Sequence, residues 1–161
     1  MADLSFAFVC DGPELKAVRE LFQEYGESLD FDLCFQGFDD ELASLPGRYA
    51  PPEGTLILAQ SIDGKAVGCV GIRPLTKTGE AEMKRLFVRE PWRGSGLGRQ
   101  LAKMAISCAV SAGYTTLRLD TLPGQMAVAD SMYRDMGFEP TPPYYENPVP
   151  GAVYYALALK G

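Results

Sequence analysis

The sequence predicts a mixed α/β fold, in which helices cover both faces of a mixed β-sheet. Short apolar runs alternate along the chain with segments of helical periodicity. An Asp63-Gly64 pair separates two apolar runs, which is a strong signal for a β-hairpin. Hydrophobic residues make up 47% of the 161 residues, so the chain can bury a core. This length indicates that residues 1–161 form a single domain.

The first half of the chain predicts a strand, two helices and a hairpin. The run from Leu4 to Cys10 is short and apolar, as in a strand. A helix with Asp11 as its N-cap follows, because apolar residues recur at steps of three and four: Leu15, Val18, Phe22, Tyr25 and Leu29. A short helix is expected at Phe38–Leu45, and residues 55–74 predict the two strands of the hairpin.

The second half predicts strands that alternate with helices. Glu82–Val88 has the composition of a strand, and a helix begins near Leu97 after a glycine-rich segment. Residues 115–122 then predict a strand, residues 126–136 a helix and residues 152–159 a last strand. On simple alternation, one face of the first of these strands carries Glu82, Lys84, Leu86 and Val88.

The charge and the missing histidines exclude several classes of function. The chain has 15 basic and 21 acidic side chains, a net charge of −6, and no histidine. Catalytic relays that need an imidazole are therefore excluded, and we expect no metal site. An acidic protein is also a poor candidate for binding nucleic acid through a broad phosphate-binding surface, so no nucleic-acid partner is expected.

The cysteines and the N-terminus predict a cytoplasmic protein. Cys10, Cys34, Cys69 and Cys108 are widely spaced, which is typical of buried thiols in a reducing compartment. The N-terminus lacks a basic start followed by an apolar run, so we expect no signal peptide. No apolar stretch approaches the roughly 20 residues that span a bilayer, and no membrane association is expected.

A basic, glycine-rich segment is the most informative part of the sequence. Residues 1–60 contain 12 acidic and 3 basic side chains, whereas residues 84–103 contain 6 basic and 1 acidic. Within the basic part, Arg93–Arg99 reads RGSGLGR and precedes a predicted helix. Free N–H groups at a helix start, together with arginines, suit a phosphate ligand. The P-loop and dinucleotide patterns are both absent, and R-x-x-G-x-G remains.

This segment and a later one resemble the GCN5-related N-acetyltransferase (GNAT) family. The first segment is EMKRLFVREPWRGSGLGRQLAKMAI and the second is LRLDTLPGQMAVADSMYRDMGF, which ends in the family's Y-x-x-x-G-F pattern at Tyr133, Gly137 and Phe138. The resemblance covers nearly the whole chain. It implies one N-acetyltransferase domain over residues 1–161, built on a mostly antiparallel sheet that splays open between two strands. It also implies acetyl-CoA as co-substrate.

The resemblance further implies which residues contact acetyl-CoA. The glycine-rich loop would bind the pyrophosphate through Arg93, Gly94, Ser95, Gly96, Leu97, Gly98 and Arg99. The preceding strand would pair with the pantetheine arm through the main chain of Leu86, Phe87 and Val88, and an N–H near Phe87 would stabilise the oxyanion. Met126 occupies a position where the family often has an asparagine that contacts the same arm.

Tyr133 matches the family's general acid, which would protonate the leaving thiolate. The alternative is a tyrosine of the core, because Tyr133 also lies on the apolar face of its helix. A base is harder to assign. Glu82 is the first choice, Asp120 is in reserve, and an ordered water is the third alternative.

The resemblance places the acceptor site at the segment after the first helix and at the final hairpin. The residues expected there are Phe31, Asp32, Phe35, Asp120, Tyr145 and Asn147. Carboxylates and aromatic rings together suit a cationic amine, although solvated acidic side chains and core aromatics are the simpler interpretation. The first hypothesis is transfer to a small-molecule amine. The alternatives are a protein or peptide amine and a non-catalytic acyl-CoA sensor. Homodimers are common in the family, so a homodimer is a further expectation.

Overall fold

A seven-stranded sheet forms the centre of the protein. The computed structural model describes residues 3–29, 32–33, 37–124 and 126–160. The strands are β1 (Leu4–Phe8), β2 (Thr55–Ser61), β3 (Ala66–Pro74), β4 (Glu80–Val88), β5 (Thr116–Thr121), β6 (Glu139–Pro140) and β7 (Val153–Ala158). Their order across the sheet is β1-β2-β3-β4-β5-β7-β6. All neighbours are antiparallel except β4 and β5, which are parallel.

Helices cover both faces of this sheet. They are α1 (Gly12–Glu27), α2 (Phe38–Ser44), α3 (Leu97–Ser111) and α4 (Ala127–Asp135), with short 3₁₀ turns at Gly47–Tyr49 and Glu90–Trp92. One apolar cluster joins α1 and α2 to the sheet, and a second cluster joins α3 and α4 to the opposite face. None of the helices in the described part of the chain is both long and apolar enough to cross a bilayer.

The hairpin strand β2 contains the continuous apolar run Leu56–Ala59, and its two buried faces explain that run. Leu56 and Leu58 belong to the cluster under α1, whereas Ile57 and Ala59 belong to the cluster under α3. A strand that is buried on both faces requires a continuous apolar run instead of an alternating one. The Asp63-Gly64 turn then leads into β3, and Gly64 has the positive φ of 82° that such a turn requires.

The predicted mixed fold is confirmed, with shifts at the ends of elements. β1 ends at Phe8, two residues before the predicted end at Cys10, and β4 begins at Glu80, two residues before the predicted start. The two-residue strand β6 is not predicted, because Glu139 and Pro140 carry no strand signal and simply lie beside β7. These shifts leave the order of elements unchanged.

Candidate active site

The strands β4 and β5 diverge in the middle of the sheet. They pair from Glu80 opposite Thr116 to Glu82 opposite Arg118, and their pairing ends there. Beyond this point a cavity of about 70 Å³ lies between the strands and is open to solvent. Its lining comes from both strands, from α1 and α4 and from the 141–152 loop: Tyr25, Leu33, Met83, Lys84, Arg85, Leu86, Leu119, Asp120, Thr121, Leu122, Met126, Ala129, Tyr133 and Asn147. The splayed sheet that the family resemblance implies is thus present, and it creates a cavity at its centre.

A β-bulge at Arg85 breaks the alternation of β4. Lys84 lies opposite Gly71 and Phe87 lies opposite Cys69, so β4 has one residue more than β3 in this interval. Arg85 has a φ of 61°. The expectation that Glu82, Lys84, Leu86 and Val88 share one face is therefore wrong. The bulge directs both Lys84 and Arg85 to the α1–α2 side, and Leu86 and Val88 pack against the cluster under α3.

The bulge also decides which main-chain N–H groups of β4 are free. The N–H of Arg89 donates to the Val67 carbonyl in β3 at 2.9 Å. Because N–H groups alternate in direction along a strand, the N–H of Phe87 also points toward β3, where Phe87 pairs with Cys69. The N–H groups of Leu86 and Val88 point the other way, toward the gap. Leu86 lines the cavity and therefore supplies the main-chain donor there, while the Val88 N–H lies further along the same edge of β4.

Six charged side chains form a connected network on the α1–α2 side of the sheet. Glu41 accepts hydrogen bonds from Arg85 at 3.0 and 2.9 Å and from Arg73 at 3.2 Å. Arg73 also donates to Glu82 at 2.8 Å. Lys84 continues the chain of charges, since its Nζ lies 3.3 Å from Asp120 and 4.0 Å from Glu82. Three cations and three carboxylates thus compensate one another, which is what burial of charge demands.

Asp120 lines the cavity and is held from three directions. It accepts hydrogen bonds from Lys84, from the Tyr145 hydroxyl and from the Asn147 side-chain amide, the last at 2.8 Å. Burial by itself raises the pKa of Asp120. The charge of Lys84 and the hydrogen bonds from Tyr145 and Asn147 lower the pKa by more than burial raises it, so it lies below its usual range. Asp120 is therefore an ionised carboxylate at neutral pH.

Glu82 lies beside Asp120 but outside the lining of the cavity. Its side chain is 4% exposed, and its second oxygen accepts a hydrogen bond from the Tyr144 hydroxyl at 2.5 Å. Burial raises the pKa of Glu82, yet the charges of Lys84 and Arg73 and the bonds from Tyr144 and Arg73 hold it below its usual range. Both oxygens of Glu82 are thus engaged by neighbours within the protein. Its role as base stays a prediction.

Tyr133 lines the cavity from α4, on the other face of the sheet from Asp120. Its ring lies 5.8 Å from the ring of Phe138 in an edge-to-face arrangement. Among the described residues its hydroxyl has no hydrogen-bond partner, and no side-chain polar atom there is both buried and unpartnered, so the hydroxyl faces the accessible space of the cavity. Burial raises the pKa of Tyr133, and Tyr25 and Asp120 raise it further. The phenol is therefore protonated throughout the neutral range.

The glycine-rich loop leads directly into α3. Gly94 and Gly96 have positive φ values of 79° and 86°, and Gly96 is the N-cap of the helix. The first helical hydrogen bond runs from Gln100 to the Gly96 carbonyl, so the N–H groups of Leu97, Gly98 and Arg99 have no acceptor within the helix. These donors and the positive end of the helix dipole suit a phosphate group, as the sequence predicts.

The polar side chains of this loop bond mainly to the protein itself. Arg93 donates from Nε to the Val88 carbonyl at 2.8 Å, and its guanidinium lies 5.7 Å from the Phe87 ring centre. Ser95 donates to the Trp92 carbonyl at 2.6 Å. Arg99 is paired with the exposed Asp135 at 3.5 Å. Arg93 Nε and Ser95 therefore hold the loop in shape, and the loop's main chain and the Nη atoms of Arg93 supply the remaining donors.

The residues predicted for the acceptor site divide into three groups. Phe31 and Phe35 lie outside the described residues, and Asp32 is exposed. Tyr145 and Asn147 belong to the 141–152 loop and bind Asp120. The predicted acceptor residues Tyr145 and Asn147 thus meet at Asp120. Met126, which the resemblance assigns to the pantetheine arm, is the N-cap of α4 and lines the cavity beside Thr121, whose hydroxyl lies 3.8 Å from the methionine sulfur.

Several residues of the site could not be expected from the sequence. Glu41 resembles its exposed neighbours Asp39 and Asp40 in the sequence, yet its side chain is 7% exposed and ion-paired. Arg73 and Arg85 are buried with it, 32 and 44 residues further along the chain. The one available signal was the presence of charged residues within strands that are otherwise apolar, which indicates paired burial.

Comparison with known proteins agrees with this geometry. Residues 15–138 match the model of the acetyltransferase (GNAT) family. The chain belongs to this family. The predicted enzyme class is confirmed: the protein is an N-acetyltransferase of the acetyl-CoA-dependent GNAT type.

Relatives of this acetyltransferase occur in fungi and bacteria. A protein of Schizosaccharomyces pombe named an uncharacterized N-acetyltransferase is 39% identical over 159 residues, which cover 99% of this chain and 97% of that protein. An IAA acetyltransferase of Azospirillum brasilense is 35% identical and covers 86% of this chain and 90% of its own length. Both relatives match the acetyltransferase across most of its length.

Solved structures share the fold of this acetyltransferase. A GNAT-family acetyltransferase of Staphylococcus aureus superposes with a TM-score of 0.76 at 18% identity, over 97% of this chain and all of that one. A Salmonella typhimurium structure that contains its cofactor acetyl-CoA has a TM-score of 0.73 at 18% identity, over 98% of this chain and 94% of that one. At these identities the likeness concerns the fold.

Proposed function

We propose that this protein transfers an acetyl group from acetyl-CoA directly to the primary amine of a small molecule. One observation carries the proposal: Asp120 and Tyr133 line the same gap from opposite faces of the sheet. A carboxylate on one side and an unpartnered phenol on the other can serve the two proton transfers that amide formation from a thioester requires. Tyr133 would be the acid and Asp120 the proton acceptor.

The acetyl-CoA side of the site is the face that α3 and α4 cover. The free N–H groups of Leu97, Gly98 and Arg99 would bind the pyrophosphate. The N–H groups of Leu86 and Val88 face the gap, where they would pair with the pantetheine arm and with the thioester oxygen. Met126 and Thr121 line the same part of the cavity and would contact the arm mainly through apolar atoms.

The proposed chemistry balances with these residues and with solvent, which takes the proton from Asp120 and returns one to Tyr133 after each turnover. The amine nitrogen attacks the carbonyl carbon, and a main-chain N–H of Leu86 or Val88 donates to the oxygen on which negative charge develops. Formation of the N–C bond makes the nitrogen's proton acidic, so that even a carboxylate of low pKa, Asp120, can accept it. The C–S bond then breaks, and the Tyr133 hydroxyl protonates the sulfur. Holding both reactants in one gap supplies a further part of the rate.

The surroundings of Asp120 favour a small acceptor over a peptide. The cavity is narrow, and the 141–152 loop contacts Asp120 through Tyr145 and Asn147. Glu41 does not add net negative charge there, since Arg85 and Arg73 neutralise it. The acceptor would therefore present a single amine to Asp120.

We further propose that residues 1–161 form one N-acetyltransferase domain, while a cytoplasmic location and a homodimer stay predictions.

A panel of amines tests the proposal. We expect release of free CoA thiol from acetyl-CoA with at least one small primary amine, and weaker release with short peptides of similar concentration. Thiol release followed by absorbance, with mass spectrometry of the acetylated amine, measures both outcomes. Faster acetylation of peptides would assign the protein-amine alternative, and binding of acetyl-CoA without turnover across the panel would favour a sensor.

The Gly98→Ala variant tests the phosphate loop. A Cβ at residue 98 would meet its nearest protein atom, Val88 Cγ2, at 3.9 Å, so the protein itself has room for it. The melting temperature should therefore stay unchanged or rise slightly, because alanine favours helix. We expect the Kd for acetyl-CoA, measured by calorimetry, to rise about tenfold or more, since the added methyl would stand beside the donors of the pyrophosphate.

The control for this experiment is Ser107→Ala, an exposed position on the same helix. Its Kd for acetyl-CoA should equal that of the wild type. A Gly98→Ala variant that binds acetyl-CoA as tightly as this control would show that the pyrophosphate lies elsewhere.

A further inference from the structure

Arg85 adopts a backbone conformation that is costly for its residue type. It is the one non-glycine residue in the described ranges with a positive φ. For L-residues with a Cβ, the population of the left-handed region is lower than that of the right-handed region by roughly tenfold. Such a conformation persists where the surroundings determine it. The contacts of Arg85 must therefore offset the cost of the bulge in β4 at this residue.

The contacts that the structure describes for the Arg85 side chain lie on the α1–α2 side of the sheet. The guanidinium forms a two-bond ion pair with Glu41 and lies 4.9 Å from the Phe38 ring centre and 5.8 Å from that of Tyr25. The side chain is 1% exposed. A guanidinium that is so enclosed needs its carboxylate partner, because an unpaired buried charge is strongly unfavourable.

The ion pair and the bulge require each other. Met83 belongs to the apolar cluster under α3, and in a regular strand residue 85 would point to the same face as residue 83. Arg85 would then place its charge among Ala81, Leu101 and other apolar side chains of that cluster. The extra residue of the bulge turns Arg85 to the opposite face, where Glu41 lies. The ion pair thus forms in the bulged strand and not in the regular one.

Glu41 is itself firmly held. The Tyr49 hydroxyl donates to it at 2.9 Å and Arg73 at 3.2 Å. Burial raises the pKa of Glu41, but Arg85 and Arg73 lower it to below its usual range, so the carboxylate is ionised at neutral pH. The anchor for the bulge is therefore a fixed negative charge at α2, outside the lining of the cavity.

We propose that Glu41 is a positioning residue for acetyl transfer: its ion pair with Arg85 selects the bulged form of β4, which turns the N–H groups of Leu86 and Val88 into the gap. This rests on the proposed function in one respect, namely that these N–H groups contact acetyl-CoA. Glu41 touches neither reactant in this account. It acts through Arg85 on the main chain that follows it.

Two double variants separate this role from a general contribution to stability. Glu41→Gln combined with Arg85→Met removes both charges, keeps a Cβ at residue 85 and offers an apolar side chain that suits the α3 cluster. Glu41→Gln combined with Arg85→Gly removes the same charges, but glycine adopts positive φ readily. We expect the glycine variant to exceed the methionine variant about tenfold in kcat/KM for acetyl-CoA and in acetyl-CoA affinity.

Hydrogen exchange of the segment 83–88, measured by mass spectrometry without ligand, gives a readout that does not depend on acetyl-CoA. Hydrogen exchange of this segment in the methionine variant should differ from that in the wild type, and exchange in the glycine variant should resemble that in the wild type. Equal exchange and equal kcat/KM in the two double variants would overturn the proposal, even if both melt at lower temperature. If the exchange patterns differ as expected but acetyl-CoA affinity does not, the bulge assignment survives and the placement of acetyl-CoA along β4 fails.

Discussion

Tyr133→Phe is expected to lower kcat by about a hundredfold and to leave the Kd for acetyl-CoA within about threefold of the wild type. The substitution removes the hydroxyl that faces the cavity and keeps the ring, which packs against Phe138. The loss should fall on kcat because the proton is needed when the C–S bond breaks and not when the substrate binds. Steady-state turnover at saturating acetyl-CoA and calorimetric binding measure the two quantities.

A second buried tyrosine supplies the control. Tyr155 is 1% exposed, and its hydroxyl is bonded to Asp130 at 2.7 Å and to Arg134 at 2.9 Å, outside the lining of the cavity. Tyr155→Phe should lower the melting temperature without lowering kcat. A wild-type kcat in Tyr133→Phe would identify Tyr133 as a core tyrosine. Because the pKa of Tyr133 is raised, the phenol stays protonated at high pH, and it should cause no alkaline loss of kcat below about pH 10.

Asp120→Asn is expected to lower kcat/KM for the amine by about a hundredfold or more. The amide cannot accept the proton from nitrogen, and it removes the carboxylate that lies 3.3 Å from the Lys84 Nζ. Because the pKa of Asp120 lies below its usual range, the carboxylate is already competent above about pH 4 and is lost as the pH falls through its pKa. The acidic limb of kcat/KM between pH 5 and 9 should therefore follow protonation of the free amine.

Glu82→Gln is the matched comparison, since Glu82 lies in the same network but not in the cavity lining. It should reduce kcat/KM less than Asp120→Asn does, with melting temperatures recorded for both. The reverse order would return the role of base to Glu82, and equal small effects would favour an ordered water. The comparison of kcat/KM thus decides among the three alternatives that the sequence left open.

Apart from the two-residue strand β6, the elements of the fold were predictable because each carries its own local signal. Apolar steps of three and four marked α1, and glycine residues marked the start of α3 and the end of α4. The glycine-rich loop before α3 was predictable for the same reason, since its residues are consecutive. Tyr133 could be placed because its spacing from Gly137 and Phe138 follows the family's pattern. Properties of contiguous segments can be seen in a sequence.

The bulge and the charge network were not predictable, because both depend on contacts between distant segments. Alternation along β4 gave the wrong face for Leu86 and Val88, since one extra residue reverses every position that follows it. Arg85 meets Glu41 across 44 residues, and the bond between Tyr145 and Asp120 spans 25. Nothing in a local pattern distinguishes the buried Glu41 from the exposed Asp39 beside it.

The neutral balance of the buried network limits how this enzyme could be redesigned for other acceptors. Replacing any one of its charges leaves a neighbour uncompensated, so a single substitution around Asp120 would lower the free energy of unfolding together with any change in acceptor choice. A mutant library should instead keep Asp120, the proposed proton acceptor, and vary other residues as compensating couples: Glu41 with Arg85, and Glu82 with Arg73. The exposed rim of the 141–152 loop, such as Glu146, can be varied singly. Acceptor preference would then be altered first by single substitutions at the exposed rim. Residues of the buried network would be changed only in compensating pairs.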